Sequence, residues 1–334
     1  MAAAGHNGVM TERALVVTTH GDRGVLAVEA RTAPEPGPGE VAVTVEAVGV
    51  NFIDVYQREG AYPIPTPFVL GSEGAGVVAA VGPQIEGLAV GDRVAWAMVV
   101  GSAASTAVLP ADKLVPVPDG VSSEDAAAAM LQGMTAHYLA VDTYAVRAGD
   151  FAVVHAAAGG VGQLLTQLVV SRGGRVIATA GTDEKCEIAR GRGAEVALNY
   201  REVEDLAAAV REATGGRGVD VVYDGVGAST FEASLASLRP RGVLALYGAA
   251  SGPVPPLDPQ RLNAAGSVYL TRPSLAHYIL TREELLWRAG EVLAAVADGS
   301  LELAIGGRYP LDEAAAAYEA LESRASTGKL LLIP

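Results

Sequence analysis

Between residues 151 and 248 the chain alternates short β-branched runs with helix-length segments, and no other feature restricts its fold as strongly. Strand candidates fall at 151–157, 175–180, 194–200, 219–226 and 242–248. Each connection is long enough for a helix, so the strands are expected to run parallel, with helices covering both faces of the sheet. The first strand runs into the small-residue stretch FAVVHAAAGGVG, Phe151 to Gly162. Beyond it, Val161, Leu164, Leu165, Leu168 and Val169 recur at helical spacing as one apolar stripe. Gly159 lets the backbone approach a diphosphate and Gly162 lets the helix pack on the strand. The helix N-terminus offers N–H groups to negative oxygens. Ala157 stands where a G-x-G-x-x-G turn has its first glycine, which implies a slightly wider turn. At the end of the second strand, Thr179-Ala-Gly-Thr182 has no carboxylate before Asp183, and Lys185 follows. An NAD site places an acid there for the ribose hydroxyls, so these residues favour NADPH. Lys185 either pairs with the 2′-phosphate or is a solvated helix residue.

The flanks read differently. From Arg13 to Lys113 the texture is β-structure with turns: Val41, Val43, Val45 and Ala47 share one strand face, and breaks at 36–39, 81–83 and 90–93 carry Gly, Pro or Asp. This is the pattern of a mainly antiparallel, barrel-like domain. Ser122 or Ser123, followed by Glu124 and Asp125, opens a helix with acids at the positive end of its dipole. Past Tyr269 the alternation stops, with helices expected at 282–298 and 312–323 and a final apolar run at 329–334, a candidate strand back to the first domain. A chain of 334 residues exceeds one ordinary core, so two domains are expected.

Charge narrows the partners. With 24 basic and 38 acidic residues the net charge is −14, which disfavours nucleic acid and anionic lipid. The single cysteine, Cys186, forms no intramolecular disulfide, and neighbouring Asp183, Glu184 and Glu187 suppress its thiolate. No apolar run approaches the roughly 18 residues of a membrane span, and the opening MAAAGHNGVM is not a signal peptide. A loose tail over 1–12 and a cytoplasmic protein are expected.

Six motifs taken in order carry a resemblance: Asn51-Phe-Ile-Asp-Val-Tyr56, Gly71-Ser-Glu-Gly-Ala-Gly76, Val90-Gly-Asp-Arg93, His155-Ala-Ala-Ala-Gly-Gly-Val-Gly162, Val222-Tyr-Asp-Gly-Val-Gly227 and Thr271-Arg-Pro-Ser-Leu275. With Leu321-Glu-Ser-Arg-Ala-Ser-Thr-Gly328, the chain from Arg13 to Pro334 resembles the quinone oxidoreductases, the zeta-crystallin-like branch of the medium-chain dehydrogenase/reductase superfamily. The resemblance implies an α/β fold in which a Rossmann doubly wound parallel sheet domain (135–269) is inserted into a GroES-like β-barrel catalytic domain (13–134 and 270–334). It also implies a homodimer and a nicotinamide cleft between the domains. Carried over by position, Ala158, Gly159, Gly160, Val161 and Gly162 would hold the diphosphate, and Thr182, Lys185 and Tyr200 would surround the adenosine and its 2′-phosphate. Thr135 would lie near the nicotinamide, Val226, Tyr247 and Gly248 would line the cofactor groove, and Thr271, Arg272 and Arg324 would complete the grip. Arg324 is equally readable as a charge at a helix C-terminus.

Zinc alcohol dehydrogenases of that superfamily take their ligands from Cys and His. Here Asn51 resembles the first ligand position, Ser72 stands where the zinc enzymes have histidine, and Cys186 is the only thiol, so no metal is expected. Without metal, the chemistry implied is hydride transfer from NADPH to an electrophile needing little activation, a quinone or an α,β-unsaturated carbonyl. Asn51, Tyr56 and Tyr62 are the candidate hydrogen-bond donors, the tyrosines being readable also as packed aromatics. Asp54 and Glu73 read as structural acceptors, and His137 and His155 as satisfied histidines. The stretch Met98 to Thr106 lacks an aromatic residue that relatives often place beside the substrate. An enoyl-thioester reductase and a non-enzymatic, crystallin-like NADPH-binding protein are the alternatives.

Overall fold

The computed structural model describes residues 11–32 and 35–334, which form two compact units. The first holds the described residues up to Ala128 together with Gly307–Ser323 and Leu330–Pro334; the second holds Ala129–Gly306 and Arg324–Lys329. The loose-tail expectation lies outside the described residues up to residue 10, while Thr11 and Glu12 open the first strand.

In the first unit β1 (Thr11–Val17), β2 (Leu26–Thr32), β3 (Glu40–Gly49), α1 (Phe52–Arg58), β4 (Phe68–Val69), β5 (Glu73–Val81), β6 (Arg93–Ala97), β7 (Thr106–Pro110) and β8 (Val115–Pro116) follow in order. The helix α2 (Ser123–Tyr138) carries Glu124 and Asp125 in its first turn, as its sequence implied. Val41, Val43, Val45 and Ala47 of β3 are buried, as the period of two predicts. Ala42 and Val48 are buried as well, Val48 in the same core cluster as Val41, Val43 and Val45, the pairing with β5 shifting register between Val45 and Ala47. The reason is that β3 is central, with β5 and β7 hydrogen-bonded along it. The core gathers Leu15, Val43, Trp96, Leu109 and Tyr318.

The second unit alternates as expected: β9 (Phe151–Val154), α3 (Gly160–Ser171), β10 (Arg175–Ala180), α4 (Asp183–Gly191), β11 (Val196–Asn199), α5 (Leu206–Ala213), β12 (Val219–Asp224), α6 (Phe231–Ser237) and β13 (Leu238–Leu246). A short α7 (Gln260–Ala264) leads to β14 (Tyr269–Thr271), a strand absent from the five read in the sequence, and α8 (Arg282–Ala297) follows. The parallel sheet has the order β11-β10-β9-β12-β13-β14. Neighbour order reverses between β9 and β12, the point at which doubly wound sheets open a crevice at their carboxyl ends. The sequence put the domain limits at 134/135 and 269/270. By contacts the unit runs from Ala129 to Gly306, since Gly133 of α2 lies against Val292 of α8 and His137 is bonded to Glu291.

The chain ends with β15 (Ile305–Pro310), α9 (Ala314–Glu322) and β16 (Lys329–Ile333). The final apolar run does return: Leu331 and Leu332 pair antiparallel with Gly49 and Val48, giving a seven-stranded sheet of order β15-β16-β3-β5-β6-β8 with β7 on β3.

Candidate functional site

The cofactor residues expected from the sequence gather at the carboxyl edge of the parallel sheet. Ala158 to Gly162 follow β9, Thr182 and Lys185 follow β10, Tyr200 follows β11, Val226 follows β12, Tyr247 and Gly248 follow β13, and Thr271 and Arg272 close β14. Thr135 is buried on α2, and Gln132, one turn before it, lies against Gly160.

Gly159 and Gly162, two of the three glycines of the turn, differ in what they accommodate. A Cβ on Gly162 would stand 2.4 Å from the carbonyl oxygen of Ala156 and 2.7 Å from the α-carbon of Ala157, so helix and strand meet there with no room for a side chain. A Cβ on Gly159 would meet only the Ala156 oxygen, at 3.2 Å. Packing therefore requires glycine at 162, and very little in the protein requires it at 159. The bare backbone at 159 fits a ligand that comes close. The N–H groups of Val161 and Gly162 open α3 without a backbone acceptor among the described residues. Such donors, at the positive end of a helix dipole, suit a diphosphate. Ala156, the residue before the turn's first-glycine position, takes a left-handed φ of 51°, a local strain in the turn. The C-terminal segment also reaches this turn: the Gly328 N–H donates to the Ala158 carbonyl at 3.1 Å, and Gly159 and Gly328 pair as a parallel bridge.

A buried polar chain underlies the same edge. The carboxylate of Asp224, at the end of β12, accepts from the N–H groups of Val226 (2.8 Å) and Gly227 (3.0 Å) and from the hydroxyls of Thr230 and Ser234. It thereby fixes the turn that carries Val226. Ser234 spends its hydrogen on Asp224, so His155 Nε2 donates to Ser234 at 2.9 Å and its Nδ1 accepts from Thr179 at 2.8 Å. His137 is likewise defined: the guanidinium of Arg288 donates to its Nδ1, so its Nε2–H points to Glu291 at 2.7 Å. Both rings are thus satisfied as neutral imidazoles, and burial lowers the pKa of each.

The consequence for stability has a definite sign. Histidines of the unfolded chain protonate near about pH 6.5, whereas these two resist it, so unfolding takes up protons below that point. Stability is expected to be complete above about pH 6.5 and to fall on acidification by up to about 1.4 kcal/mol per histidine per pH unit until the folded rings titrate. Melting temperatures measured between pH 8 and 5 check this; a profile flat from 7 to 5 contradicts it.

At the adenosine end, Thr182 caps α4 by accepting from the Lys185 N–H at 3.3 Å. The Lys185 ammonium donates to the backbone carbonyl of Arg324 at 2.5 Å and stands 3.5 Å from that of Ser326. Arg324 has a φ of 59° and its guanidinium donates to the Ala250 carbonyl at 3.3 Å. Cys186, one residue on from Lys185, is buried, and that burial pushes its thiol pKa up.

In the first unit Asn51, Asp54, Gln57, Ser72, Glu73 and Tyr318 form a buried cluster. The Asn51 side-chain amide donates to Glu73 Oε1 at 2.7 Å and to the Gly49 carbonyl at 3.2 Å. Asp54 accepts from the Asn51 N–H, the Ser72 hydroxyl and the Tyr318 hydroxyl. Asp54 and Glu73 thus act as acceptors inside the protein, and the amide hydrogens of Asn51 are engaged by them and by the backbone. Tyr56 and Tyr62 lie together, ring centroids 5.3 Å apart and edge to face, with Tyr62 46% exposed. Sequence reasoning missed Asp224, although an acid between an apolar strand and Gly225-Val-Gly227 was there to read; it missed Ser234 and Gln132, for which no local signal existed.

The quinone oxidoreductase of Salmonella typhimurium is 45% identical to this chain over 319 residues, 94% of this chain and 97% of that protein. The chain belongs to the quinone oxidoreductase family. Residues 37–119 match the family model for the alcohol dehydrogenase GroES-like domain and residues 160–286 that for zinc-binding dehydrogenases. A mycobacterial protein solved in complex with NADPH is 52% identical, with a TM-score of 0.94 over 96% of this chain and 100% of that one. The 2-haloacrylate reductase of a Burkholderia species is 41% identical over 307 residues, 90% of this chain and 92% of that protein. The name of the second family model raises zinc, and the donor set here does not fit it. Among the described residues no group of three or more His, Cys, Asp or Glu is placed to hold a metal. Asn51 is turned to Glu73, Ser72 to Asp54, and the sole thiol lies on α4.

Proposed function

We propose that this chain is a zinc-independent oxidoreductase that uses NADPH to reduce quinones or similar conjugated carbonyls. The observation that carries the reading is Gly159, a position at the mouth of α3 where almost nothing in the fold excludes a side chain and a diphosphate would. The relatives support it, one bearing the name quinone oxidoreductase and another solved with NADPH. Bound at this edge, NADPH supplies a hydride to a conjugated acceptor whose own π-system spreads the incoming charge, so a few hydrogen-bond donors replace a Lewis acid.

The residues of the chain then have separable tasks. Ala158 to Gly162 hold the diphosphate; Thr182, Lys185 and Tyr200 take the adenosine end; Thr135, Val226, Tyr247, Gly248, Thr271, Arg272 and Arg324 complete the cofactor site. Asp224 holds the Val226 turn in place through its four donors. Tyr56 and Tyr62 are proposed as the hydroxyls that meet the acceptor oxygen. Asn51 is proposed to border the same site as a positioning residue, its amide held by Glu73 and the Gly49 carbonyl. A conjugated carboxylate or other enone is the second substrate class, favoured by the likeness to the 2-haloacrylate reductase. We place the protein in the cytoplasm; among the described residues no helix is long and apolar enough to cross a membrane. A homodimer is also proposed, because β14 is the edge strand of the parallel sheet and its Tyr269 is 63% exposed. Sedimentation at the mass of one chain would rule that out.

The deciding experiment follows NADPH oxidation by its loss of absorbance against simple quinones, enones and enoyl thioesters, before and after exhaustive chelation. Turnover on quinones that survives chelation is expected. Tight NADPH binding without turnover on any acceptor would instead mark a binding protein.

A further inference from the structure

We propose that Gln132 is a cofactor-binding residue, its side-chain amide oxygen accepting a hydrogen bond from the ribose hydroxyls on the nicotinamide half of the dinucleotide. The proposal rests on the NADPH site described above.

Gln132 lies on α2, three positions before Thr135 and on the same helical face, and it is 9% exposed. Its amide reaches the mouth of α3: a Cβ on Gly160 would stand 1.8 Å from Gln132 Oε1 and 2.8 Å from its Nε2. The amide thus fills the space that a side chain at 160 would take, so it is Gln132 that requires glycine there. Yet Oε1 is buried with no hydrogen-bond partner among the described residues. An amide oxygen withdrawn from water and left unpaired destabilises a fold, and natural structures keep few such atoms.

The carbonyls of the same turn are treated differently. That of Ala156 takes the Gly159 N–H at 2.9 Å, that of Gly159 takes the Gln163 N–H at 2.9 Å, and that of Gly162 takes the Thr166 hydroxyl at 2.8 Å. The Ala158 carbonyl takes two donors, the Gly328 N–H and the Gln163 side-chain amide. The other unpaired buried side-chain atom among the described residues, the Tyr223 hydroxyl, belongs to β12 in the parallel sheet. Gln132 therefore brings an open acceptor to a turn whose own carbonyls at 156, 158, 159 and 162 are engaged.

Whatever fills that place must donate a hydrogen. An ionised diphosphate has none to give, so the group held by the turn itself cannot serve. In the cofactor site proposed above, the adenosine half leaves the turn towards Thr182, Lys185 and Tyr200. The nicotinamide half leaves it towards Thr135, one helical turn from Gln132, and the first donors along that half are the hydroxyls of its ribose. A hydroxyl can give its hydrogen to Oε1 and keep its lone pairs for other donors.

The test compares the full chain with Gln132→Met, which keeps the length of the side chain and removes the unpaired oxygen, and with Gln132→Leu beside it. Without nucleotide, both variants are expected to melt about 3 °C above the parent, because a buried acceptor without a donor is gone. Calorimetric titration should then find NADPH, NADH and reduced nicotinamide mononucleotide about tenfold weaker than in the parent, with ADP and 2′,5′-ADP within about twofold. A packing role alone would lower the melting temperature and treat the five ligands alike. The inference is overturned if the variants bind NADPH as the parent does, the result expected of a site filled by water, or if ADP weakens as much as NADPH. It is overturned as well if both variants melt below the parent, the oxygen then being satisfied without nucleotide. Failure of the parent chain itself to bind any of these ligands would take down the NADPH site as a whole, which separates the two failures.

Discussion

Alanine at Gly159 is expected to weaken NADPH binding at least about thirtyfold while moving the melting temperature by no more than about 2 °C; alanine at Gly162 is expected to do the reverse. The two positions are three residues apart in one turn, yet the atoms a new methyl would meet are different. At 162 they are main-chain atoms of Ala156 and Ala157, at 2.4 and 2.7 Å, which cannot swing aside. Relieving that overlap means moving α3 off β9, at about 3 kcal/mol, or about 6–12 °C in a unit of this size. At 159 the nearest atom is 3.2 Å away and gives by a few tenths of an ångström, so the methyl is tolerated until a diphosphate needs the space. Calorimetry and thermal melts on both variants check the pair. Equal loss of stability in both would mean that the turn is glycine-rich for packing alone.

Loss of Glu322 is the other change expected to be large. The Arg58 guanidinium is fully buried at the end of α1, donating to Glu322 at 2.7 Å, to Glu59 at 2.9 Å and to the Gly21 carbonyl at 3.2 Å. Glu322 also takes Arg23 at 2.8 Å, so one carboxylate from the end of α9 answers two arginines from the start of the chain. Glu322→Ala leaves the buried guanidinium to Glu59 and the Gly21 carbonyl and is expected to cost about 3 kcal/mol, near the low end for a broken buried pair because Glu59 remains and Glu322 itself is partly exposed. Glu322→Gln keeps an acceptor and should cost roughly half as much. Urea unfolding of the three proteins measures this; a Glu322→Ala midpoint equal to the parent's contradicts it.

The sequence disclosed the parts of this molecule that local pattern controls. The apolar stripe of α3 is periodic, the β-branched runs of β9, β10 and β12 are continuous and buried, and each lies within the stretch where the sequence suggested it. The three-residue β14 escaped notice because so short a strand has no period to detect; its place beside β13 fixes it. The candidate site divided along the same line. The glycine turn announces itself over a few residues. The partners of Lys185 are backbone carbonyls some 139 residues away, and a carbonyl leaves no mark in an amino-acid sequence. Asn51 shows a second limit: its residue type suggests a donor, and only its neighbours, Glu73 at 22 positions and Gly49 at two, show where its hydrogens go.

The hydrogen bond from Gly328 to Ala158 has a bearing on biosynthesis. Residue 328 stands 170 positions after Ala158, so the last backbone donor to that turn is made only near the end of translation. A chain cut short before it would carry the parallel sheet with the Ala158 carbonyl deprived of this donor.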